Sequence, residues 1–305
     1  MTKLEFLSVV IPTFNSADTI SHTLISILSN DYPMNLYEVI VVDNDSLDNT
    51  VEIVKRFPVR LYSCPKRGQG PARNKGIKEA LGDIVCFTDS DVIAPSDWLQ
   101  KIADFFKKHP DADAVGGRVL PPRSGHRTLI QKWVGEAYYV DQSFPAEMTR
   151  AKICTYTGST YSANCAYKKD ALLSVNGFDE SVWDGNDIEL CWTLLKRGKN
   201  IVFDPDLKII HLGFPWNMRL SFKKQFTWGR INIYLTRIHC RHYRKRILKA
   251  MLFSIYRIIR EMLKLLSPRA SPKTRQLVRI NAHLAFLLGR LLELMHPFRQ
   301  IETIK

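Results

Sequence analysis

The sequence predicts an α/β fold with a mostly parallel sheet, and three observations support this prediction. Over the first 120 residues, short runs rich in β-branched residues alternate with segments of helical periodicity. The runs are apolar without alternation, which is typical of parallel strands covered by helices on both sides. The chain has 305 residues, 45% of them hydrophobic, and is therefore long enough to bury such a sheet.

The first elements follow one another in regular order. The predicted strands are short apolar runs, at residues 7–11, 38–42, 59–62 and 84–88. The predicted helices repeat apolar residues every three or four positions, at residues 16–28, 50–57 and 71–81. Gly82 ends the third helix. Ligands of such sheets bind beyond the carboxyl ends of the strands, which is where this sequence places polar clusters.

The second half of the chain is less regular. Residues 119–157 contain prolines and glycines that interrupt the periodicity, so we expect loops that shape a binding pocket. A helix is predicted at residues 188–195 because Gly198 provides a stop signal after it. Two further strands are expected at residues 201–203 and 207–211.

After Pro215 the sequence becomes basic, and amphipathic helices are predicted at about residues 243–266 and 279–296. This change divides the chain into an α/β domain and a basic helical region. The predicted bounds are residues 1–218 for the first, with halves at about 1–120 and 121–218, and residues 219–305 for the second.

The charge is concentrated in the helical region. Residues Arg219 to Lys305 carry 20 Lys and Arg against 3 Asp and Glu, whereas the rest of the chain carries 24 against 27. Such a tail could bind nucleic acid. A long apolar stripe at 243–266, with bases at other helical angles, favours an anionic lipid surface instead. The alternative is that these helices pack their apolar faces against the α/β domain.

The six cysteines stand singly and lack the spacing of zinc ligands, so we expect buried thiols in a reducing compartment. The N-terminal segment lacks the pattern of a signal peptide, because Pro12 and Asn15 interrupt its apolar run. No run approaches the roughly 18 apolar residues of a spanning helix. The sequence therefore predicts a cytoplasmic protein that associates peripherally with a membrane.

Acidic residues follow two of the predicted strands. Asp89 and Asp91 come after the strand at 84–88, and alternate side chains at a strand end can share one hard cation. Asp43 ends the strand at 38–42, where a carboxylate can accept hydrogen bonds from a nucleotide. Capping turns without a ligand are the alternative for both clusters.

Three further segments carry candidate site residues. The basic loop from Lys66 to Arg73 enters a helix and could contact a pyrophosphate. Asp187 and Glu189 diverge by about 200° on a helix, so only one of them can face a given cleft, unless both merely complement the helix dipole. His211 ends a strand, where a lone histidine is more often a packed residue than a ligand.

These segments occur in a fixed order, as Ser8-Val-Val-Ile-Pro-Thr-Phe-Asn15, Val41-Val-Asp-Asn-Asp-Ser46, Gly70-Pro-Ala-Arg-Asn74, Phe87-Thr-Asp-Ser-Asp91, Gly177-Phe-Asp-Glu180 and Asn186-Asp187. Together they resemble the inverting glycosyltransferases of family 2, which have the nucleotide-diphospho-sugar transferase (GT-A) fold. The resemblance covers about residues 5 to 215. Several short motifs in the right order are far more specific than any one of them.

The resemblance implies an enzyme that moves one sugar from a nucleotide-diphosphate sugar to a hydroxyl acceptor, with Mg²⁺ or Mn²⁺ on the diphosphate. It assigns Asp187 as the general base and Asp91 with His211 to the metal. The residues that it assigns to the donor site are Pro12, Thr13, Asn15, Asp43, Gly70, Arg73, Asp89 and Ser90. The acceptor expected for such a basic, membrane-associated chain is a glycan or a lipid-linked sugar.

The sequence departs from the family pattern in three places. Asn44 replaces a second acid, Asn186 replaces the glutamate before the base, and Gln225-Phe-Thr-Trp228 does not complete the QxxRW box of processive synthases. The last departure favours single-sugar addition over polymerisation. A noncatalytic nucleotide-sugar binder, a nucleotidyltransferase and a nucleic-acid-binding protein remain as alternatives. Of these, nucleic-acid binding leaves the acidic strand ends unexplained.

Overall fold

A computed structural model of the chain describes residues 6–122, 149–150, 160–213, 217–266 and 273–296. These residues fall into two compact units. The first comprises residues 6–122, 149–150 and 160–213, and the second comprises residues 217–266 and 273–296.

The first unit contains a mixed sheet. Its strands are β1 (Leu7–Thr13), β2 (Tyr37–Asp43), β3 (Arg60–Ser63), β4 (Ile84–Phe87), β5 (Val92–Ile93), β6 (Ala114–Leu120), β7 (Thr149–Arg150), β8 (Cys165–Lys168) and β9 (Ile201–His211). They lie in the order β3-β2-β1-β4-β8-β6-β9-β5, and β7 pairs with β9. The first four strands of this order are parallel, whereas β8 runs antiparallel to both of its neighbours. The predicted α/β class is therefore confirmed, with a sheet that is mixed beyond β4.

Six α-helices accompany the sheet in the described part of this unit. They are α1 (Ile20–Leu28), α2 (Thr50–Val54), α3 (Gln69–Glu79), α4 (Trp98–Lys108), α5 (Lys169–Leu173) and α6 (Asn186–Lys196). The core is mainly apolar. It contains β1, which is buried along its whole length, and the residues Ile20, Leu24 and Ile27 of α1. The helices predicted from periodicity in the first 81 residues correspond to α1, α2 and α3, with bounds that differ by a few residues.

Strands β5, β6, β7 and β8 and helices α4 and α5 were not predicted from the sequence. Gly116 and Gly117 interrupt the apolar pattern of β6, but the structure requires them. A Cβ atom on Gly117 would lie 2.2 Å from the carbonyl oxygen of Leu207, and one on Gly116 would lie 2.5 Å from Thr160. The glycines therefore mark a close approach of neighbouring segments to β6.

Strand β9 corrects the prediction of two separate strands at 201–203 and 207–211. It is continuous from Ile201 to His211. Its pairing with β6 shifts register between Gly117 and Arg118, so that the segment around Pro205 forms an irregularity inside one strand. Proline cannot donate to a strand ladder and is tolerated at such irregularities.

The second unit consists of three long helices in its described part: α7 (Met218–His239), α8 (Tyr243–Leu266) and α9 (Lys273–Met295). The sequence predicted α8 and α9 but not α7. Helices α7 and α9 approach closely at two glycines, since a Cβ on Gly229 would lie 2.1 Å from the Phe286 carbonyl oxygen. Gly289 faces the Phe226 carbonyl oxygen in the same way, at 1.9 Å.

Charged side chains are buried between these three helices. Glu293 is fully buried, and its carboxylate lies 3.2 Å from Arg230 and 3.8 Å from Arg237. Arg290 is buried and donates to Asn232, the Ala250 carbonyl oxygen and Ser254. A buried charge must be paired with an opposite charge or satisfied by hydrogen bonds. The unit is therefore held together by polar contacts as well as by apolar packing.

Four cysteines are free and buried, as predicted: Cys64, Cys86, Cys165 and Cys191. The prediction of a thiol is wrong for Cys240, which is disulfide-bonded. Cys154 and most of the predicted loop region 119–157 lie outside the described residues. Among the described helices, none combines the length and the apolar character needed to cross a membrane.

Candidate active site

The carboxyl ends of β1 and β2 place Thr13 beside Asp43, because the two residues are paired in the parallel register. One carboxylate oxygen of Asp43, Oδ2, accepts a hydrogen bond from the Ser46 amide at 3.2 Å. The other oxygen and the Thr13 hydroxyl are buried without a hydrogen-bond partner among the described residues. Buried polar atoms ordinarily have partners, so this strand end is suited to a ligand that donates hydrogen bonds.

Asn15 joins the loops that follow β1 and β2. Its backbone lies in the left-handed region, with φ 47°, which asparagine tolerates better than most residues. Its amide donates to the Ser46 hydroxyl at 2.9 Å, and its side-chain oxygen accepts from the Leu47 amide at 2.8 Å. The adjacent Ser16 hydroxyl lies 2.8 Å from that of Ser90. One edge of the sheet thus gathers five residues predicted to bind the nucleotide-sugar donor: Pro12, Thr13, Asn15, Asp43 and Ser90.

Asn44 has a structural role that the sequence did not reveal. Its side chain is buried and donates to the carbonyl oxygens of Cys64 and Lys66, at 2.7 and 2.8 Å. Its side-chain oxygen accepts from the Gly68 amide at 2.7 Å. The amide is therefore used to fix the loop before α3. A carboxylate at this position could not donate to the two carbonyl oxygens.

Asn44→Asp is expected to lower the free energy of unfolding by about 2 kcal/mol or more, because two buried acceptors lose their donor. Urea denaturation of the variant measures this loss. The matched control is Asn49→Asp, at an exposed position, for which a change within about 0.5 kcal/mol is expected. A change at Asn44 as small as the one expected at Asn49 would show that the Asn44 contacts contribute nothing to stability.

Arg73 connects two parts of the site. Its side chain is 2% exposed, and Nη2 donates to Asp89 Oδ1 at 3.2 Å. Nη1 donates to Asn186 Oδ1 at 2.9 Å, one residue before Asp187. Gly70 lies close by, since a Cβ on it would be 3.7 Å from Asn186 Nδ2. Arg73, which the sequence assigns to the donor, therefore also links the acidic strand end to the first turn of α6.

Asp89, Asp91 and His211 form a cluster of potential metal ligands. One ligand atom from each lies within 4.8 Å of the others. His211 Nε2 is 3.4 Å from Asp91 Oδ1 and 3.6 Å from Asp89 Oδ2. Carboxylate oxygens and an imidazole nitrogen together suit Mn²⁺, and carboxylates suit Mg²⁺. The chemistry of this donor set therefore fits a divalent cation.

The pairing of β5 with β9 creates this cluster. Val92 is opposite His211 in the antiparallel register, and the Leu212 amide donates to the Asp91 carbonyl oxygen at 2.7 Å. Gly213 then passes so close that a Cβ would lie 1.9 Å from the Asp91 carboxylate. Burial opposes ionisation of Asp89, but the hydrogen bond from His211 and the charge of Arg73 hold its pKa below the ordinary value.

Asp187 lies in the first turn of α6 and is partly buried. Its Oδ1 accepts from the Ile188 amide at 2.8 Å, and its Oδ2 accepts from the Ser162 amide at 3.4 Å. Burial raises the pKa of Asp187, although the charge of Arg73 and these two hydrogen bonds oppose the shift. A carboxylate with a raised pKa is better suited to accept a proton near neutral pH.

Glu189 is engaged elsewhere on α6. It is buried, and its Oε1 accepts from the Thr193 hydroxyl at 2.6 Å, one turn along the helix. Ser162, by contrast, has a buried hydroxyl without a partner in the described part of the chain, beside Asp187. Nothing in the sequence indicated Ser162 or Gly213. No motif marked them, because they reach the site only through the folding of distant strands.

The mixed sheet and its acidic strand ends match the GT-A fold. The family described as Glycosyl transferase family 2 matches residues 8–173, more than half of the chain. The chain therefore belongs to Glycosyl transferase family 2, whose members transfer sugars.

Its relatives include other glycosyltransferases. The chain is 27% identical over 233 residues to Glycosyltransferase AglE of Haloferax volcanii, an alignment that covers 74% of this chain and 73% of the relative. It is 24% identical to the glucosyl-dolichyl phosphate glucuronosyltransferase of the same organism, with 72% of each chain covered. The fold is similar to that of the mannosyltransferase PcManGT from Pyrobaculum calidifontis in complex with GDP-Man and Mn²⁺, with a TM-score of 0.65 and 19% identity over 96% of this chain and 88% of that one.

Proposed function

We propose that this protein is an inverting glycosyltransferase that moves one sugar from a nucleotide-diphosphate sugar to a hydroxyl acceptor. The observation that supports this most directly is the pairing of two different acidic sites. Asp89, Asp91 and His211 form a cluster suited to a cation, and Asp187 is a carboxylate whose pKa is raised. Arg73 and Asn186 connect the two sites by hydrogen bonds. An environment that separates the pKa values of two acids commonly assigns them different roles.

Asp91 and His211 would hold Mg²⁺ or Mn²⁺, and Asp89 lies close enough to contribute. The bound cation would neutralise negative charge that develops on the leaving diphosphate. Asp43 and Thr13 would bind the nucleoside with the polar atoms that lack partners among the described residues. Pro12, Asn15, Gly70, Arg73 and Ser90 would complete the donor site around them.

Asp187 would act as the general base. A sugar hydroxyl is a weak nucleophile at neutral pH, so removal of its proton during attack lowers the barrier. The hydroxyl oxygen forms the new bond to the anomeric carbon on the face opposite the bond that breaks to the diphosphate oxygen. The proton passes to Asp187 Oδ, and the configuration at the anomeric carbon inverts. Ser162 donates its amide to the same carboxylate and would help to orient it.

The experiment that tests this function is a transfer reaction with the anomeric configuration of the product read by NMR. Donors are first selected by thermal stabilisation in the presence of Mn²⁺, since a bound ligand stabilises the folded state. The expected product has the opposite anomeric configuration to the donor. A retained configuration would overturn the inverting mechanism. Metal-dependent donor binding without any transfer would instead indicate a noncatalytic nucleotide-sugar binder.

The acceptor that we propose is a lipid-linked sugar or a cell-envelope glycan on the cytoplasmic face of the membrane. One relative is described as a transferase that acts on a glucosyl-dolichyl phosphate, and this supports a lipid-linked acceptor here. The basic helical unit supports a lipid-linked acceptor independently. Basic amphipathic helices bind anionic membrane surfaces, and such an acceptor is available only at a membrane surface.

We further propose that α8 lies on that surface. The described side chains of one face of α8 include seven large apolar residues that are exposed: Leu248, Leu252, Ile255, Tyr256, Ile259, Met262 and Leu263. The exposed base Lys249 lies beside this face, and the exposed base Lys245 precedes it at the N-terminal end of the helix. The apolar stripe predicted from the sequence is divided, since Ile247 is buried with Ser254 and Glu261 on the opposite side. An exposed apolar face with flanking bases is typical of an interfacial helix.

Substitution of Ile255 and Ile259 by serine is expected to reduce binding to anionic vesicles by tenfold or more, because each buried isoleucine contributes about 1.5–3 kcal/mol. Sedimentation with phosphatidylglycerol vesicles measures the effect, and salt should weaken the remaining attachment. The matched control replaces Leu81 and Leu173, which are also exposed but belong to the α/β unit. The lipid face would be wrongly assigned if both pairs of substitutions reduced binding equally.

A further inference from the structure

A groove within the helical unit has an apolar floor and a cationic edge. Its volume is about 480 Å³, within the range of about 300–1,000 Å³ that small-molecule sites occupy. The apolar lining consists of Ile247, Leu248, Met251 and Leu294, and the charged lining consists of Arg237 and Arg244. Helices α7, α8 and α9 each contribute to it. An elongated molecule with one anionic end matches this arrangement.

The positive charge of the groove is only partly balanced. Arg237 lies 3.8 Å from Glu293, but Glu293 is closer to Arg230, at 3.2 Å, so one carboxylate faces two guanidinium groups. Arg244 is exposed, and its guanidinium lies 6.0 Å from the centre of the Tyr243 ring. None of the described residues that line the groove is acidic. A phosphate oxygen between two arginines would form strong charge-assisted hydrogen bonds.

The groove continues into the exposed apolar face of α8. Leu248 belongs to both, since it lines the groove and is 59% exposed. A helix that lies on a bilayer would therefore bring the mouth of this groove to the level of the lipid head groups. The molecules present there in greatest number are membrane phospholipids, each with a phosphodiester and two hydrocarbon chains.

We infer that the groove binds one anionic membrane phospholipid, with its phosphodiester between Arg237 and Arg244 and one acyl chain along Ile247, Met251 and Leu294. The inference rests on the proposed membrane attachment of α8 and extends it from a diffuse charge attraction to a single specific site. A free inorganic phosphate would use the arginines but would leave the apolar lining without a contact.

The test is calorimetric titration of the full-length protein with dihexanoyl-phosphatidylglycerol, kept below its micelle concentration. Saturable binding of one molecule per chain is expected, with phosphatidylcholine of the same chain length and inorganic phosphate binding much more weakly. Arg244→Gln should weaken binding about tenfold, the scale of one lost charged contact. Arg246→Gln is the matched control, because Arg246 is an exposed arginine of the same helix that does not line the groove. Its affinity should be unchanged.

A second pair of variants tests the apolar part. Met251→Trp should fill the groove and abolish saturable binding, whereas Met262→Trp, on the outer face of α8, should not. Equal weakening by Arg244→Gln and Arg246→Gln would overturn the site in favour of diffuse charge. If inorganic phosphate binds as tightly as the phospholipid, the assignment of a phospholipid as the ligand is overturned. Displacement of the phospholipid by farnesyl phosphate at lower concentration would instead make the groove an acceptor site.

These outcomes are separable from a failure of the proposed function. Donor binding in Mn²⁺ and sugar transfer are measured on the same variants, whose substitutions lie outside the candidate active site. If the wild-type protein transfers no sugar, the proposed activity is overturned, but the phospholipid titration still tests the groove. Failure of the wild-type protein to sediment with anionic vesicles would remove the basis for a bilayer lipid.

Discussion

Asp91→Asn is expected to abolish metal-dependent donor binding and to reduce turnover by about 10³-fold or more, near the upper end of the effect of losing one electrostatic stabiliser. The carboxylate lies at a strand end next to His211 and contributes little to the core, since its side chain is 26% exposed. The amide keeps the shape of the side chain but removes the negative charge that attracts a divalent cation. Calorimetric titration of the donor with and without Mn²⁺ measures the loss.

The matched control for this substitution is Asp31→Asn, at an exposed position for which no side-chain ion pair is observed among the described residues. Thermal unfolding of both variants should remain close to that of the wild type. Full turnover of Asp91→Asn in Mn²⁺ would contradict the assignment of Asp91 to the metal. Loss of cooperative unfolding would show that Asp91 is needed for the fold.

Asp187→Asn is expected to reduce turnover by about 10²-fold or more while donor affinity changes little, because a general base acts on the acceptor proton and not on the donor. The side-chain oxygen of asparagine can still accept from the Ile188 amide, so the start of α6 should be preserved. Steady-state kinetics together with donor titration separate the two effects. Glu189→Gln is the matched control. Loss of activity in Glu189→Gln, with retention in Asp187→Asn, would reverse the assignment of the base.

The raised pKa of Asp187 adds a dependence on pH. Turnover should fall as the pH decreases through this pKa, because the protonated carboxyl group cannot accept a proton. The sign for stability is opposite. An acid whose pKa is raised in the folded state favours folding when it is protonated, and this contribution is lost as the pH rises through the folded pKa. At neutral pH, Asp187→Asn should therefore be as stable as the wild type or more stable, which chemical denaturation can measure.

The regular part of the fold was accessible from local pattern. Strands β1, β2 and β4 are buried apolar runs, and the helices between them repeat apolar residues at helical spacing, so periodicity alone predicted them. The second half of the sheet was not accessible in this way. Strand β6 contains adjacent glycines that no strand propensity favours, and they are required only because Leu207 and Thr160 pack against them. Local propensity is a weak guide where such close contacts decide the structure.

Asn44 and Arg73 illustrate the same limit within the site. From the sequence, Asn44 stands where the family pattern has an acid, and Arg73 is predicted to bind the sugar donor. In the structure, Asn44 binds three backbone groups of the loop before α3, and Arg73 reaches both Asp89 and Asn186. These partners lie 16 to 113 residues away along the chain from Arg73, and 20 to 24 residues away from Asn44. No local pattern encodes such partners.

The sequence by itself determined the α/β class, the order of the family motifs and the concentration of positive charge after Arg219, because these depend on local periodicity and composition. Only the tertiary structure decided which polar residues meet. The pairing of β5 with β9 brings His211 to Asp91 across 120 positions of sequence, and burial at the start of α6 raises the pKa of Asp187. The tertiary structure also decided which half of the apolar stripe of α8 is exposed, because the other side of the helix faces buried charges between the three helices. Distance and burial are properties of the folded chain, and they assign chemistry to residues that the sequence could only propose.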